Sequence, residues 1–297
     1  MKTYLSCIPC FFKQILQAGE MGGLNPAQIK EMMDRVGGEL EHFSLTDSPP
    51  LMGKSIQRLL TGYTGDTDPY AMVKNASNQK ALAVYPGLKR MVAQSGTPLR
   101  TAVELACAGN IIDYGIFTQE LDVTAEIDRI LRQQKLVLDR MDSQLFAFDS
   151  FSHSLRKCRN LWYVGDNAGE IVFDRVLIET IKDLFPQVEI SFITRGKAVL
   201  NDCLVQDALQ CGLDQVARII SSGLDSPGLL LDDVDISFKA LFDQADLVIS
   251  KGQGNYEALS SSPAPIYFLL VAKCAVIAQD LGCRQMDLIL KKHGSAF

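Results

Sequence analysis

Three short segments concentrate carboxylate, carboxamide and cationic side chains beside glycine. They are Gly165-Asp166-Asn167-Ala168-Gly169-Glu170, then Thr194-Arg195-Gly196-Lys197 with Asn201-Asp202 just beyond, and Ser250-Lys251-Gly252-Gln253-Gly254-Asn255-Tyr256-Glu257. Asp166, Asn167 and Asp202 offer hard oxygen donors of the kind that suit Mg2+ or Mn2+. Lys251 and Arg195 are cations able to hold a phosphate. Gly252 and Gly254 let backbone amides approach an anion at a helix start. A divalent cation with further positive charge around an oxyanion is what phosphoryl transfer requires. Any one of these segments alone reads as an ordinary turn or helix cap. The functional reading rests on their coincidence.

The elements that must position them follow from periodicity. Short apolar runs at 161–164, 189–193, 217–220, 247–249 and 266–270 alternate with helical stretches such as 170–184 and 236–244. Strand–helix alternation with continuously apolar strands predicts a three-layer α/β/α domain on a mostly parallel sheet. Each of the three segments then lies at the carboxyl end of a strand, where open parallel sheets bind ligands. Residues 1–155 read instead as an all-helical domain, and 156–297 as the α/β metal- and phosphate-binding domain. Phe11, Phe12, Ile15 and Leu16, and then Ile29, Met32, Met33 and Val36, recur at helical spacing. Asp68-Pro69 predicts a helix start, with that helix ending before Pro86. Pro98 to Ala108 predicts a further helix stopped by Gly109-Asn110. The segment 221–235 reads as a surface loop.

Bulk properties narrow the class. A formal net charge of −6, with 47% hydrophobic and 22% charged residues, describes an ordinary globular protein without the basic surface of a nucleic-acid binder. The apolar run from Ile266 to Ala278 is broken by Lys273 and is too short for a membrane span. No export signal precedes the first helix, so the cytoplasm is the expected compartment. The eight cysteines are then core residues or ligands rather than a disulfide framework.

The three segments also resemble the signatures of the damage-control phosphatases, the family once labelled domain of unknown function 89. Asp68-Pro69-Tyr70 with Lys74, Gly109-Asn110 with Asp113, and Lys273-Cys274 resemble further family segments. The pair Cys7-x-x-Cys10 resembles the subgroup found in archaea and some bacteria. The resemblance implies metal-dependent hydrolysis of phosphate monoesters, with sugar phosphates or damaged phosphometabolites as substrates. It implies that Asp166, Asn167 and Asp202 hold the metal (Mg2+, Mn2+, Co2+ or Ni2+), with Lys251 near the phosphate. Asp166 and Lys251 are the expected catalytic pair. Asn110, Asp113, Arg195, Gly252, Gly254, Asn255 and Glu257 are the expected substrate contacts.

Other readings compete. Cys7 and Cys10 have the spacing of half a zinc site or a redox pair. No second such pair exists, the histidines form no motif, and free cysteines are by default small core hydrophobes, Cys274 among them. Lys74 and Asn78, four apart, read as a solvated helix face. Asn110 and Asp113 alone would be a cap and a turn. A haloacid-dehalogenase pattern would need an acid at 168, where this chain has alanine. The attacking group is therefore read as a metal-bound water, with Asp166 as the alternative. The rival enzyme is an S-adenosylmethionine-dependent carboxyl methyltransferase, and the rival without catalysis is a phosphometabolite-binding protein.

Overall fold

A computed structural model describes residues 1–110 and 145–293. Asp113, expected to contact substrate, lies outside them. The expected sheet is present. Strands β1 (Asn160–Val164), β2 (Glu189–Thr194), β3 (Arg218–Ser221), β4 (Leu247–Lys251), β5 (Ile266–Val271) and β6 (Leu288–His293) form one six-stranded sheet in the order β3-β2-β1-β4-β5-β6. The first five run parallel, and β6 closes the edge antiparallel to β5.

Side-chain alternation along the strands splits the apolar core in two. Leu161, Tyr163, Phe192, Ile249, Tyr267 and Leu269 face one layer of helices. Trp162, Val164, Ile193, Val248, Phe268 and Leu270 face the other. The first layer contains α4 (Ala71–Gln94), α5 (Pro98–Gly109), α6 (Phe148–Lys157), α7 (Glu170–Leu184) and α8 (Val205–Gln210). The second contains α9 (Ile236–Phe242), α10 (Gly252–Leu259) and α11 (Ala275–Leu281). Trp162 meets Phe238 and Phe242 edge-on at 5.2 and 5.6 Å, a geometry the aromatic quadrupole favours.

Three earlier helices, α1 (Cys7–Met21), α2 (Pro26–Leu40) and α3 (Pro49–Thr64), bury Phe11, Ile15, Met32, Val36, Ile56 and Leu60 in a third cluster of their own. Their starts follow local rules. Asn25 caps α2 in a reciprocal capping box with Gln28, and proline stands at the first turns of α2, α3 and α5. By packing, α4 and α5 belong with the sheet, since Ala81, Leu88, Val103 and Ala106 share its core.

The fourth helix departs from expectation at both ends. It starts at Ala71 rather than at Pro69, and Asp68 spends its carboxylate on Lys74 at 2.6 Å instead of capping. It also runs straight through Pro86. Interior proline costs roughly 3 kcal/mol of helix stability. Burial of Leu88 and Val92 beyond it supplies the compensating apolar contact. Among the described residues no helix is long and apolar enough to cross a membrane.

Candidate functional site

In-register pairing puts Val164 beside Ile193 on one side and Ser250 on the other, so the tips of β1, β2 and β4 end level. The strand order reverses between β1 and β4, which is where a doubly wound sheet opens a crevice. The backbone then stitches the tips together. Cys203 donates to the Asp166 carbonyl at 2.8 Å, Ala168 to Asn201 at 2.9 Å, and Arg195 to Cys203 at 3.0 Å. Asn167 and Asp202 form an isolated antiparallel bridge. The turn that delivers Asn201-Asp202 includes Leu200 at φ 46°, a left-handed conformation that costs a non-glycine residue roughly 1 kcal/mol or more. Asp166, Asn167 and Asp202, the last 36 residues beyond the first, thus share one corner.

That corner faces a cavity of about 300 Å³. Asp166, Asn167, Asp202, Gly254 and Glu257 line it, as do Asn201, Gln253, Lys273 and, from α1, Cys7, Cys10 and Gln14. Asp166 is nearly buried and accepts hydrogen bonds from Asn167 Nδ2 at 2.9 Å and Asn110 Nδ2 at 3.3 Å. Burial, with the carboxylates of Glu170 and Asp202 close by, pushes its pKa well above the usual carboxylate range. Arg195 and Lys273 oppose that rise. Gly252 makes the space: a Cβ there would sit 1.8 Å from Asp166 Oδ2, and its φ of 76° is a glycine conformation. Gly254 is excluded from bearing a side chain for a different reason, because a Cβ would meet the Pro227 carbonyl at 1.9 Å.

Several residues expected at the substrate lie behind the corner instead. Lys251 is fully buried, its ammonium held by the Ala106 carbonyl at 2.6 Å, Asp174 at 2.7 Å and Glu170 at 2.6 Å. Burial alone would lower its pKa, but the two carboxylates override that and raise it. Asp174, in turn, is raised to about 6 by burial and Glu170, against the pull of Lys251. Arg195 is also buried; its Nε donates to Asp202 at 2.6 Å and one terminal nitrogen stands 3.8 Å from Asp166. Its two terminal nitrogens make no hydrogen bond among the described residues. Asn110 ties Asp166 and Glu170 to the end of β5, donating to both carboxylates and accepting from the Val271 amide at 3.3 Å. Asn255 is a brace, donating to the Gly165 and Lys251 carbonyls at 3.0 and 2.7 Å and accepting from the Leu229 amide at 3.0 Å.

Glu257 does line the cavity, accepts from Gln253 at 2.9 Å, and is raised to about 7 by burial. Lys74 and Asn78 are not on a solvated face. Lys74 is buried between Asp68 and Asp207, and Asn78 accepts from the Gly169 amide at 2.7 Å while donating to Asp207 at 2.9 Å. Asn78 thereby fixes the start of α7 beneath the corner. Glu170 and Lys273 belong to the site but stood outside the expected contacts. Glu170 was legible as the acid closing the first segment, and Lys273 as the cation interrupting the apolar fifth strand run.

Fold and crevice together define a doubly wound α/β protein with an acidic pocket at its topological switch point. The chain belongs to the family described by the damage-control phosphatase ARMT1-like domain, whose profile matches residues 3–289. A damage-control phosphatase of Pyrococcus horikoshii is 30% identical over 296 residues, spanning 99% of both chains. One of Archaeoglobus fulgidus is 31% identical over 253 residues, spanning 84% of this chain and 85% of the relative. An uncharacterized protein of Methanocaldococcus jannaschii is 31% identical over 303 residues, spanning 99% of this chain and 96% of the relative. The crystal structure of a DUF89 family protein from Pyrococcus horikoshii superposes with a TM-score of 0.86 at 28% identity, covering 99% of each chain.

Proposed function

We propose that this protein is a metal-dependent phosphatase acting on phosphate monoesters of small metabolites, sugar phosphates or damaged phosphometabolites. The observation that carries the reading is the crowding of Asp166, Glu170 and Asp202 at one corner, where burial and mutual repulsion raise the Asp166 pKa. A divalent cation relieves that repulsion, and the open donor set of two carboxylates and one carboxamide suits a hard ion with room left for substrate oxygens. Among the described residues no three His, Cys, Asp or Glu side chains form a ready cage. Asn167 is therefore essential to the donor count. Asp166, Asn167 and Asp202 would hold the ion, and when bound it supplies charge stabilisation to the phosphoryl oxygens.

The chain's own residues divide the remaining work. Lys273 is the one lysine or arginine among the described residues lining the cavity, and it places positive charge where the phosphate would sit. Arg195 holds Asp202 and neutralises the carboxylate pair from behind. Lys251 acts as a positioning residue through Glu170, which in turn receives Asn110 and Asn167. Gln253, Glu257 and Gln14 supply polar contacts to the non-phosphate part of the substrate. The tip of β1 is filled by buried acids and amides rather than left open for close backbone approach, which weighs against the methyltransferase alternative. The Cys7-x-x-Cys10 pair supports assignment to the subgroup that bears such a pair.

The test is phosphate release from an aryl phosphate across a panel of Mg2+, Mn2+, Co2+ and Ni2+. Activity that chelator abolishes and one of these ions restores supports the reading. Tight binding of phosphorylated sugars without turnover under every ion would replace it with the phosphometabolite-binding alternative.

A further inference from the structure

The cavity carries a second donor set of opposite chemical character. Cys7 and Cys10 project from the first turn of α1, three residues apart and so on one face of the helix. Cys274 stands at the N-cap of α11, just past the end of β5. All three line the same cavity as Asp166, Asn167 and Asp202. Cys7 lies within electrostatic reach of Cys10, Cys274 and Glu257, and Cys10 within reach of Cys274 and Glu257. Gln253 Nε2 approaches Cys274 Sγ at 3.6 Å.

The core role that suits other cysteines does not suit these. Cys107, Cys158, Cys203 and Cys211 are fully buried within the sheet's apolar cluster. Cys10 is exposed at the pocket, and Cys7 and Cys274 are only half-buried, although each leans on an apolar cluster. Three cysteines from two separate parts of the fold, α1 and the β5–α11 junction, line one cavity beside the oxygen-donor corner.

We propose that Cys7, Cys10 and Cys274 form a thiolate site for a borderline-soft divalent cation of the zinc type, distinct from the oxygen-donor corner. Sulfur donors select such ions, while oxygen donors select hard ones, so one pocket can sort two cations by donor type. Glu257, which lines the same cavity, is available as a fourth ligand. The side chains are not drawn into a closed cage in this structure. Binding closes it by rotating side chains towards sulfur–metal distances of about 2.3 Å, and the displaced thiol protons pass to water without any redox change. The bound ion ties the α1–α3 cluster to the β5–α11 junction across the cavity.

The full chain, reduced with a phosphine and stripped with chelator, is titrated with Co2+ as a spectroscopic probe and then with Zn2+. The expected result is a thiolate-to-cobalt charge-transfer absorption saturating at about one equivalent and removed by zinc. Cys10→Ser and Cys274→Ser each abolish it or weaken binding at least about tenfold, the loss expected when one of a few ligands goes. Asp166→Asn leaves it intact, because cobalt on oxygen donors gives no thiolate band. A measurement on the unmutated chain guards against misfolded variants: zinc protects Cys7, Cys10 and Cys274 from alkylation but leaves Cys283 reactive. No charge-transfer band, a band that survives Cys274→Ser, or zinc protection confined to Cys7 and Cys10 overturns the proposal. So does a reduced chain that takes up no metal yet readily forms a Cys7–Cys10 disulfide.

Discussion

The tips of β1 and β4 occupy equivalent positions on either side of the switch point, yet they use their charges in opposite ways. The β1 tip turns Asp166 and Asn167 towards the cavity, where the charges of Arg195 and Lys273 only partly offset burial and the neighbouring carboxylates. The β4 tip turns Lys251 away and satisfies it completely with Ala106, Asp174 and Glu170. Residue type and loop position are the same kind of signal in both cases. What separates them is the acidic environment beneath the sheet: Asp174 and Glu170 on α7 capture the nearest long cation, and a short carboxylate at Asp166 cannot reach past Gly252. The first tip therefore stores repulsion that a ligand can relieve, and the second spends its charge on stability.

The comparison breaks most visibly at Lys251. Lys251→Met leaves Glu170 and Asp174 buried without their cation, a change expected to cost about 3–5 kcal/mol in urea unfolding. The pH dependence gives the sign. Asp174 has a folded value of about 6, above its unfolded value, so its contribution is fully present at low pH and is lost as pH rises through about 6. Without Lys251 that value rises further, so the deficit of the variant should grow from acidic to neutral pH. A variant as stable as the parent at pH 7 but inactive would return Lys251 to the substrate.

Asp166→Asn should do the reverse. It removes a repelled carboxylate, so unfolding free energy should hold or increase by roughly 1 kcal/mol, the usual trade between stability and activity. Phosphate release should fall about 10²–10³-fold, which corresponds to some 3–4 kcal/mol of lost charge stabilisation. Retained activity with an unchanged metal requirement would remove Asp166 from the corner's work.

How far the sequence reveals this division can be argued from particular residues. The five parallel strands and their order of appearance are legible because each carries a short apolar run, buried on both faces at the centre of the sheet and only half-buried in the edge strand β3. The sixth, Leu288–His293, is not, since its outer half is Lys291, Lys292 and His293. The corner itself is legible, because Asp166, Asn167 and Asp202 sit where the fold class sends ligands. The direction each side chain faces is not. Lys251, Asn255 and Asn110 have the right types on the right loops, but they bind partners 145, 90 and 161 residues away in sequence: Lys251 on Ala106, Asn255 on Gly165, Asn110 on Val271. Lys74 and Asn78 mislead in the same way, because a polar helical face that is buried against other polar groups has the same period as a solvated one.

Gly252 joins the two tips and tests their separation. Gly252→Ala adds a Cβ 1.8 Å from Asp166 Oδ2 at a backbone angle that penalises side chains. The strained conformation alone costs about 1–2 kcal/mol, so both stability and activity should drop together. Loss of activity alone, with unchanged stability, would mean that Asp166 moves aside freely and is not held in place by the β4 tip.

Lys273 should give the smallest effect and the sharpest contrast with Lys251. It lines the cavity, and its charge opposes the rise in the Asp166 pKa. A lysine that acts on substrate rather than on the fold should show in KM. Lys273→Ala is expected to raise KM about tenfold, near 1.4 kcal/mol, with unfolding free energy changed by less than about 0.5 kcal/mol. Its effect should also weaken with added salt, because the cavity wall it occupies is open to solvent and its attraction for phosphate is screened. An equal loss of stability in Lys273→Ala and Lys251→Met would erase the distinction between a cation that faces the pocket and one that props up its floor.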